Sequence, residues 1–291
     1  MLLKTPSKIN LFLAIHGPRL DGFHELSSLV CQLDLFDEME LEWNENGGCC
    51  EITCNLKEVP CNSDNLIHKA WALFCQASKI ECGLSCRLIK KIPPQSGLGA
   101  GSSNAMNLLT WLNKRCGNPL NQESLLSIGA QIGSDVPLFI NQEAKIVRGR
   151  GEQLESLQQS TLNSLSGLKL VLFRPEYGIS TPWAFRYFKK KPENFLTREK
   201  AGDLLRKFEE PLFSIGDILY NTLEIAVFSK YIPMKLLIEH LRKNENIPTL
   251  MTGSGSTAFS IYKTEFELET ILKNIHKYYG PNCWIETCVS I

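Results

Sequence analysis

The chain has 291 residues, 43% of them hydrophobic and 21% charged, enough to bury a sizeable core in one large or two ordinary domains. Its 31 basic side chains are cancelled by 31 acidic ones, so no bulk charge favours nucleic acid or an anionic membrane. No apolar run approaches the roughly 18 residues of a membrane helix, and the expectation is a soluble, cytoplasmic protein.

The opening "MLLKTPSKINLFLAIHG" has the length of a signal peptide, but Asn10 interrupts its apolar run and no A-x-A site follows. Its alternation predicts a strand over 8–15. Further strands are predicted within 26–43, at 49–54 and at 85–92, with a helix over 65–77 that Asp64 is placed to cap. After a glycine-rich stretch, a helix is expected over 103–114, and another over 121–132, stopped by Gly133. The serine-rich segment 155–166 reads as a joint, dividing the chain into 1–155 and 166–291. Beyond it come the strand of "GLKLVLFRP" and three or four helices within 180–243. Then follow a strand–glycine turn–strand at 249–263, an amphipathic helix at 265–279 and a closing strand at 283–291. The order β-α-β-β-α-β in this half predicts a ferredoxin-like layer, and the class is α+β.

Eleven cysteines are present, none with C-x-x-C spacing. Cys50/Cys54 and Cys82/Cys86 are C-x-x-x-C pairs, a weak signal for a site. An odd number in so long a chain reads as free thiols rather than a disulfide framework.

The stretch "IPPQSGLGAGSSNAMNLL", 92–109, concentrates the chemistry. Glycines permit positive φ and bring backbone N–H groups close to a ligand, and a helix start adds unpaired donors with a positive partial charge. Together they suit an anion, phosphate above all, although a plain strand-to-helix turn with a serine cap has the same composition. No lysine follows the glycines as in a P-loop, and Gly97, Gly99 and Gly101 lack the dinucleotide spacing.

What "PPQSGLGAGSS" does resemble is the phosphate-loop signature of the GHMP kinases. Four more blocks occur in that superfamily's order: "PSKINLFLAIHGPRLDGFHEL" at 6–26, "IGSDVPLFI" at 132–140, "YGISTPWAF" at 177–185 and "MTGSGSTAFSIY" at 251–262. Within the superfamily they resemble the 4-diphosphocytidyl-2-C-methyl-D-erythritol kinase family of the non-mevalonate isoprenoid pathway. The resemblance implies an N-terminal ATP-binding catalytic domain of ribosomal-S5-domain-2-like fold and a C-terminal ferredoxin-like, substrate-side domain. It also implies ATP-dependent phosphorylation of the 2-hydroxyl of the cytidylated erythritol by a monomer or weak homodimer, with Mg²⁺ on the ATP phosphates.

By the same resemblance, Pro93, Pro94, Gln95, Ser96, Gly97, Leu98, Gly99, Ala100, Gly101, Ser102 and Ser103 form the ATP loop. Ser102 or Ser103 is the candidate to reach the metal; no acidic ligand is evident. Gln95, Ser96 and Ala100 stand where glycines are usual, and Phe23 where tyrosine is. Asp135 is placed as the base that takes the alcohol's proton, with Lys8 beside it to neutralise charge. An aspartate in "GSDVP" is equally a turn former. Asn10, two residues from Lys8 on one strand face, is assigned to the erythritol part. His24, Phe23 and Phe185 are assigned to the cytosine, and Ser254, Gly255 and Ser256 to the diphosphate. The rival readings are a GHMP kinase for mevalonate, homoserine or a sugar, and a non-catalytic nucleotide-binding module. "DGFHEL" and "STPWAF" speak against the first, Lys8 with Asp135 against the second.

Overall fold

A computed structural model describes residues 1–45, 47–189, 191–210 and 213–291. The chain forms two compact units. The first comprises Met1–Ser7, Leu35–Pro94 and Gly99–Gln142; the second comprises Lys8–Asp34, Gln95–Leu98 and Glu143–Ile291. Two long strands, β1 (Leu2–Pro18) and β2 (His24–Asn44), contribute residues to both units.

In the first unit the strand order is β3-β4-β2-β1, with β3 spanning Cys50–Cys54 and β4 Gly83–Ile89. β3 runs parallel to β4 and β2 antiparallel to it, Glu38 opposite Ile89. Helix α1 (Leu66–Ser78) packs against α2 (Ala100–Arg115) and α3 (Gln122–Ile132). Ile67, Ala70 and Phe74 are the buried stripe of α1, the spacing of one helix face. Its cap is Asn65, not the expected Asp64. The Asn65 side chain accepts the Ile67 N–H at 2.9 Å, whereas the Asp64 N–H is itself bonded to Asn62 Oδ1 at 3.0 Å.

The second unit holds β5 (Lys145–Gly149), β6 (Gln153–Ser156), α4 (Gln159–Leu165), β7 (Lys169–Arg174) and α5 (Thr181–Lys189). It continues with α6 (Arg198–Arg206), α7 (Ile215–Ile218), β8 (Tyr220–Asn221), α8 (Leu223–Phe228) and α9 (Ile232–Lys243). Then come β9 (Thr249–Met251), β10 (Ala258–Ile261), α10 (Glu265–Tyr279) and β11 (Trp284–Val289). β5 pairs with β2 and β6, and β8 runs parallel to β1 with Phe12 opposite Tyr220. β11-β7-β10-β9 form an antiparallel sheet, the ferredoxin-like layer the sequence predicts. Leu13, Ile15, Phe173, Phe188, Leu237 and Ile275 belong to one buried cluster of this unit. A capping box, Thr264 with Glu267, starts α10. The joint expected over 155–166 instead contains α4, whose Thr161 and Leu165 are buried. No described helix is long and apolar enough to cross a membrane.

All eleven cysteines are free thiols. Burial pushes the Cys31 and Cys86 thiols up to about 12. Alkylation of native protein at pH 8 should therefore mark the exposed Cys49 and Cys61 first, and Cys31, Cys86 and Cys288 only after denaturation. Peptide mass spectrometry reads the order; early labelling of the buried thiols would contradict this packing.

Candidate active site

The glycine stretch turns through left-handed residues at Gln95 (φ 53°), Gly97 (φ 81°) and Gly99 (φ 69°). Gln95, standing where glycine is usual, thus adopts a glycine-like backbone. The helix starts at Ala100, three residues before the expected Ser103, because Gly99 caps it through its backbone conformation rather than a serine hydroxyl. Its first bond runs from Ser103 N–H to Gly99 O at 2.9 Å. The amides of Ala100, Gly101 and Ser102 precede that bond, so the helix offers them no acceptor and they are donors for an anion. Ser103 is buried, and its carbonyl and hydroxyl accept from Asn107 Nδ2 at 2.9 and 3.2 Å.

Within the second unit, Gly97 lies against the turn that follows β9. A Cβ on Gly97 would come 3.1 Å from the Thr252 carbonyl oxygen, and one on Gly253 would come 3.8 Å from Asn10 Oδ1. The Lys8 N–H donates to Leu98 O at 2.9 Å. The structure therefore brings together Lys8, Asn10, Gly97 and the Thr252–Gly255 turn. β1 is buried on both faces from Thr5 to Ile15, so Lys8, only 4% exposed, does not sit on a wet face. Its Nζ donates to Asn10 Oδ1 at 2.9 Å, and the Thr252 hydroxyl donates to the same oxygen at 3.3 Å. Asn10 Nδ2 donates to Ser28 Oγ at 2.8 Å, and Ser28 donates to the Phe12 carbonyl at 2.6 Å. The Asn10 N–H donates to Thr252 Oγ1 at 3.0 Å.

Sequence reasoning missed the residues that hold the Thr252–Gly255 turn. Asn221 Nδ2 donates to the carbonyls of Met251 and Gly253 at 2.7 and 2.8 Å. Glu224 takes a two-pronged bond from Arg242 at 2.9 and 2.7 Å and accepts the Met251 N–H at 2.9 Å. Burial raises the Glu224 carboxyl and Arg242 opposes the rise. The one clue was a polar Asn and Glu inside the apolar run "LYNTLEIAVF". Ser254 Oγ lies 2.6 Å from Thr181 Oγ1. The Ser256 hydroxyl is committed to the Tyr177 carbonyl at 2.7 Å, which leaves its role to the backbone. Gly255, at φ 79°, has no room for a Cβ, which would lie 2.8 Å from Met251 Sδ.

The His24 and Phe185 rings meet at 4.9 Å, with Phe195 6.0 Å from His24. Phe23 is 52% exposed and lies under the Arg150 guanidinium at 5.1 Å. Asp21 Oδ1 accepts the Phe23 N–H at 3.1 Å and shapes that turn. Asp135 belongs to the first unit, half-buried between the end of α3 and the 3₁₀ turn Val136–Phe139, where Pro137 prevents the helix from continuing. Among the described residues no cluster of three His, Cys, Asp or Glu is placed to hold a metal.

A left-handed glycine turn opens α2 without a P-loop lysine, and residues 65–143 match the GHMP kinases N terminal domain. A 4-diphosphocytidyl-2-C-methyl-D-erythritol kinase of Methylacidiphilum infernorum is 34% identical over 97% of this chain and 93% of its own length. The crystal structure of a 4-(cytidine 5'-diphospho)-2C-methyl-D-erythritol kinase superposes with a TM-score of 0.74 at 27% identity, covering 99% of both chains. The chain belongs to the 4-diphosphocytidyl-2-C-methyl-D-erythritol kinase family. Homoserine kinase of Cytophaga hutchinsonii superposes nearly as well, TM-score 0.73 at 16% identity over 100% of this chain and 94% of its own, which shows the shared fold alone.

Gly99→Val places a β-branched side chain at φ 69°. ATP affinity measured by calorimetry should fall at least about tenfold with the far-UV spectrum retained, since the amides ahead of α2 are turned from the phosphates. Unchanged affinity in a folded variant would show that this turn does not cradle the nucleotide.

Proposed function

We infer that this chain transfers the γ-phosphoryl group of ATP to the 2-hydroxyl of 4-diphosphocytidyl-2-C-methyl-D-erythritol. The products are ADP and the 2-phosphate, in the non-mevalonate route to isoprenoids. Residues 1–155 form the ATP-binding and catalytic domain, which also lends Asn10, Phe23 and His24 to the acceptor, and residues 166–291 the substrate-side domain, in the cytoplasm. The observation that carries the reading is the buried Lys8 ammonium, held by Asn10 beside Gly97 and Gly253 in a chain of this family.

Asp135 accepts the proton of the 2-hydroxyl as the oxygen attacks phosphorus. Lys8 neutralises the charge that grows on the transferring phosphoryl oxygens. The amides of Ala100, Gly101 and Ser102 hold the ATP phosphates, with 93–99 shaping the approach. Asn10 orients the erythritol part, and its bond to Lys8 keeps the ammonium aimed. His24 and Phe185 form the aromatic wall for cytosine, and Phe23, exposed under the Arg150 guanidinium, is assigned to the same base. Of the residues assigned to the diphosphate, Ser254 and Ser256 supply backbone amides, whereas the Gly255 N–H donates to the Thr252 carbonyl at 3.1 Å and Gly255 serves by its conformation. Ser102 or Ser103 would be the side chain to reach a Mg²⁺ held otherwise by phosphate and water, with the Ser103 hydroxyl also accepting from Asn107. Such an ion would supply charge neutralisation on the ATP phosphates.

Coupled ADP release tests the reading, with the cytidylated erythritol set against mevalonate and homoserine. A kcat/KM at least about 100-fold higher for the cytidylated acceptor is expected, since a site built around a base rejects acceptors that lack one. Preference for mevalonate or homoserine would overturn it.

Asp135→Asn keeps the size and turn preference but cannot take a proton. Its kcat should fall by roughly 10²–10⁴ with KM for both substrates little changed. A kcat within about threefold of wild type, a barrier change near 0.7 kcal/mol, would remove Asp135 from the mechanism. Phe185→Ala should raise KM for the cytidylated acceptor by about ten- to hundredfold, the range of base–aromatic stacking, and leave KM for ATP unchanged. Loss of ATP affinity instead would mean the two pockets are assigned the wrong way round.

A further inference from the structure

The chain entering the glycine stretch is held by a buried carboxylate to which none of the roles above is attached. Asp37, in β2, is fully buried, and the side chain of Lys90, just past the end of β4, is 5% exposed. The Lys90 ammonium is paired with Asp37 Oδ2. Asp37 Oδ1 accepts the N–H groups of Lys91 and Ile92 at 2.9 and 3.0 Å. Asn55 holds Lys90 through its backbone: Oδ1 accepts the Lys90 N–H at 2.8 Å, and Nδ2 donates to the Lys90 carbonyl at 3.1 Å. Residues 90–92 are thus fixed immediately before Pro93. Asp37 also reaches the far end of the stretch. Its carbonyl lies 3.3 Å from the Thr5 hydroxyl, which bonds Asn104 Oδ1, near the start of α2, at 2.6 Å. All these residues belong to the first unit.

A buried ion pair is a poor source of stability, because desolvating both charges offsets their attraction and an apolar pair of equal volume often serves as well. The placement of this one points elsewhere. One carboxylate oxygen on two successive amides sets the direction in which the chain enters the turn, and the Thr5 link sets the helix that leaves it. We propose that Asp37 is a positioning residue for the nucleotide, bracing both ends of the glycine segment so that the amides of Ala100–Ser102 are aimed before ATP arrives. A pre-formed loop is not ordered at the expense of binding energy. The proposal rests on the phosphate-loop reading above.

Asp37→Asn and Lys90→Met separate bracing from stability. Both break the ion pair, so both should lower Tm. Lys90→Met keeps the carboxylate on the two amides, whereas Asp37→Asn weakens that acceptor and leaves an ammonium against it. KM for ATP should rise at least about tenfold in Asp37→Asn and less than about threefold in Lys90→Met, with KM for the acceptor steady in both. An ATP KM in folded Asp37→Asn within about threefold of wild type, or an equal rise in the two variants, would overturn the brace. If Asp37→Asn does not fold, Thr5→Val decides: a rise in ATP KM above about threefold supports the brace, and an unchanged value overturns it. Wild-type protein that phosphorylates no acceptor would strike the kinase reading instead; calorimetric titration of the same variants with a non-hydrolysable ATP analogue still reads the brace.

Discussion

A lysine ammonium inside a strand covered on both faces needs an acceptor that is itself held, and the site depends on how that need is met. Lys8 points to Asn10, two residues on along the same face of β1. Asn10 is engaged at both ends of its amide and through its main chain, so it cannot swing away from the ammonium. The held Asn10 amide contributes to offsetting the cost of burying the charge. That is the condition under which a cation acts most strongly on charge appearing in a transition state.

The same asparagine ties β1 to the turn after β9, and the ferredoxin-like layer is organised to deliver that turn. Asn221 holds its carbonyls, and Glu224 with Arg242 fixes the strand that leads into it. Gly97 then lets the Thr252 carbonyl approach closely, and Gly255 fits against the Met251 and Ile179 side chains, which a Cβ would meet at 2.8 and 2.9 Å. In the first unit, Asp37 does for the other side of the glycine stretch what Asn221 does for the C-terminal turn. In both places a side chain distant in sequence grips main-chain groups next to a glycine turn. The main chain at both turns is set by this outer frame as much as by the glycines.

Much of this was legible in the sequence where the signal is local. The stop of α3 at Gly133 and the amphipathic helix at 265–279 each follow from neighbours within one element, and the β-α-β-β-α-β order from their succession. The motif blocks likewise name Lys8, Asn10 and the glycine turns, which the fold brings together. What could not be read depends on partners far along the chain or on backbone angles. Asn65 rather than Asp64 caps α1 because Asn65 is the extended residue just before the first turn, where its side chain reaches the Ile67 N–H. α2 begins early because Gly99 is left-handed. α4 is stabilised by burying Thr161 and Leu165, which a polar composition hides. Asp37 and Lys90 look like ordinary polar residues until the fold closes, and the polar Asn221 in its apolar run does not reveal that it holds Gly253.

The central claim is that Lys8 and Asp135 serve one chemical event. A double-mutant cycle on kcat, with Lys8→Met, Asp135→Asn and the double variant, measures it most directly. Groups that act as a unit are grossly non-additive, so the double variant should be no more than about threefold slower than the slower single variant. Multiplication of the two single effects in the double variant would mean that the residues act independently and would contradict the account.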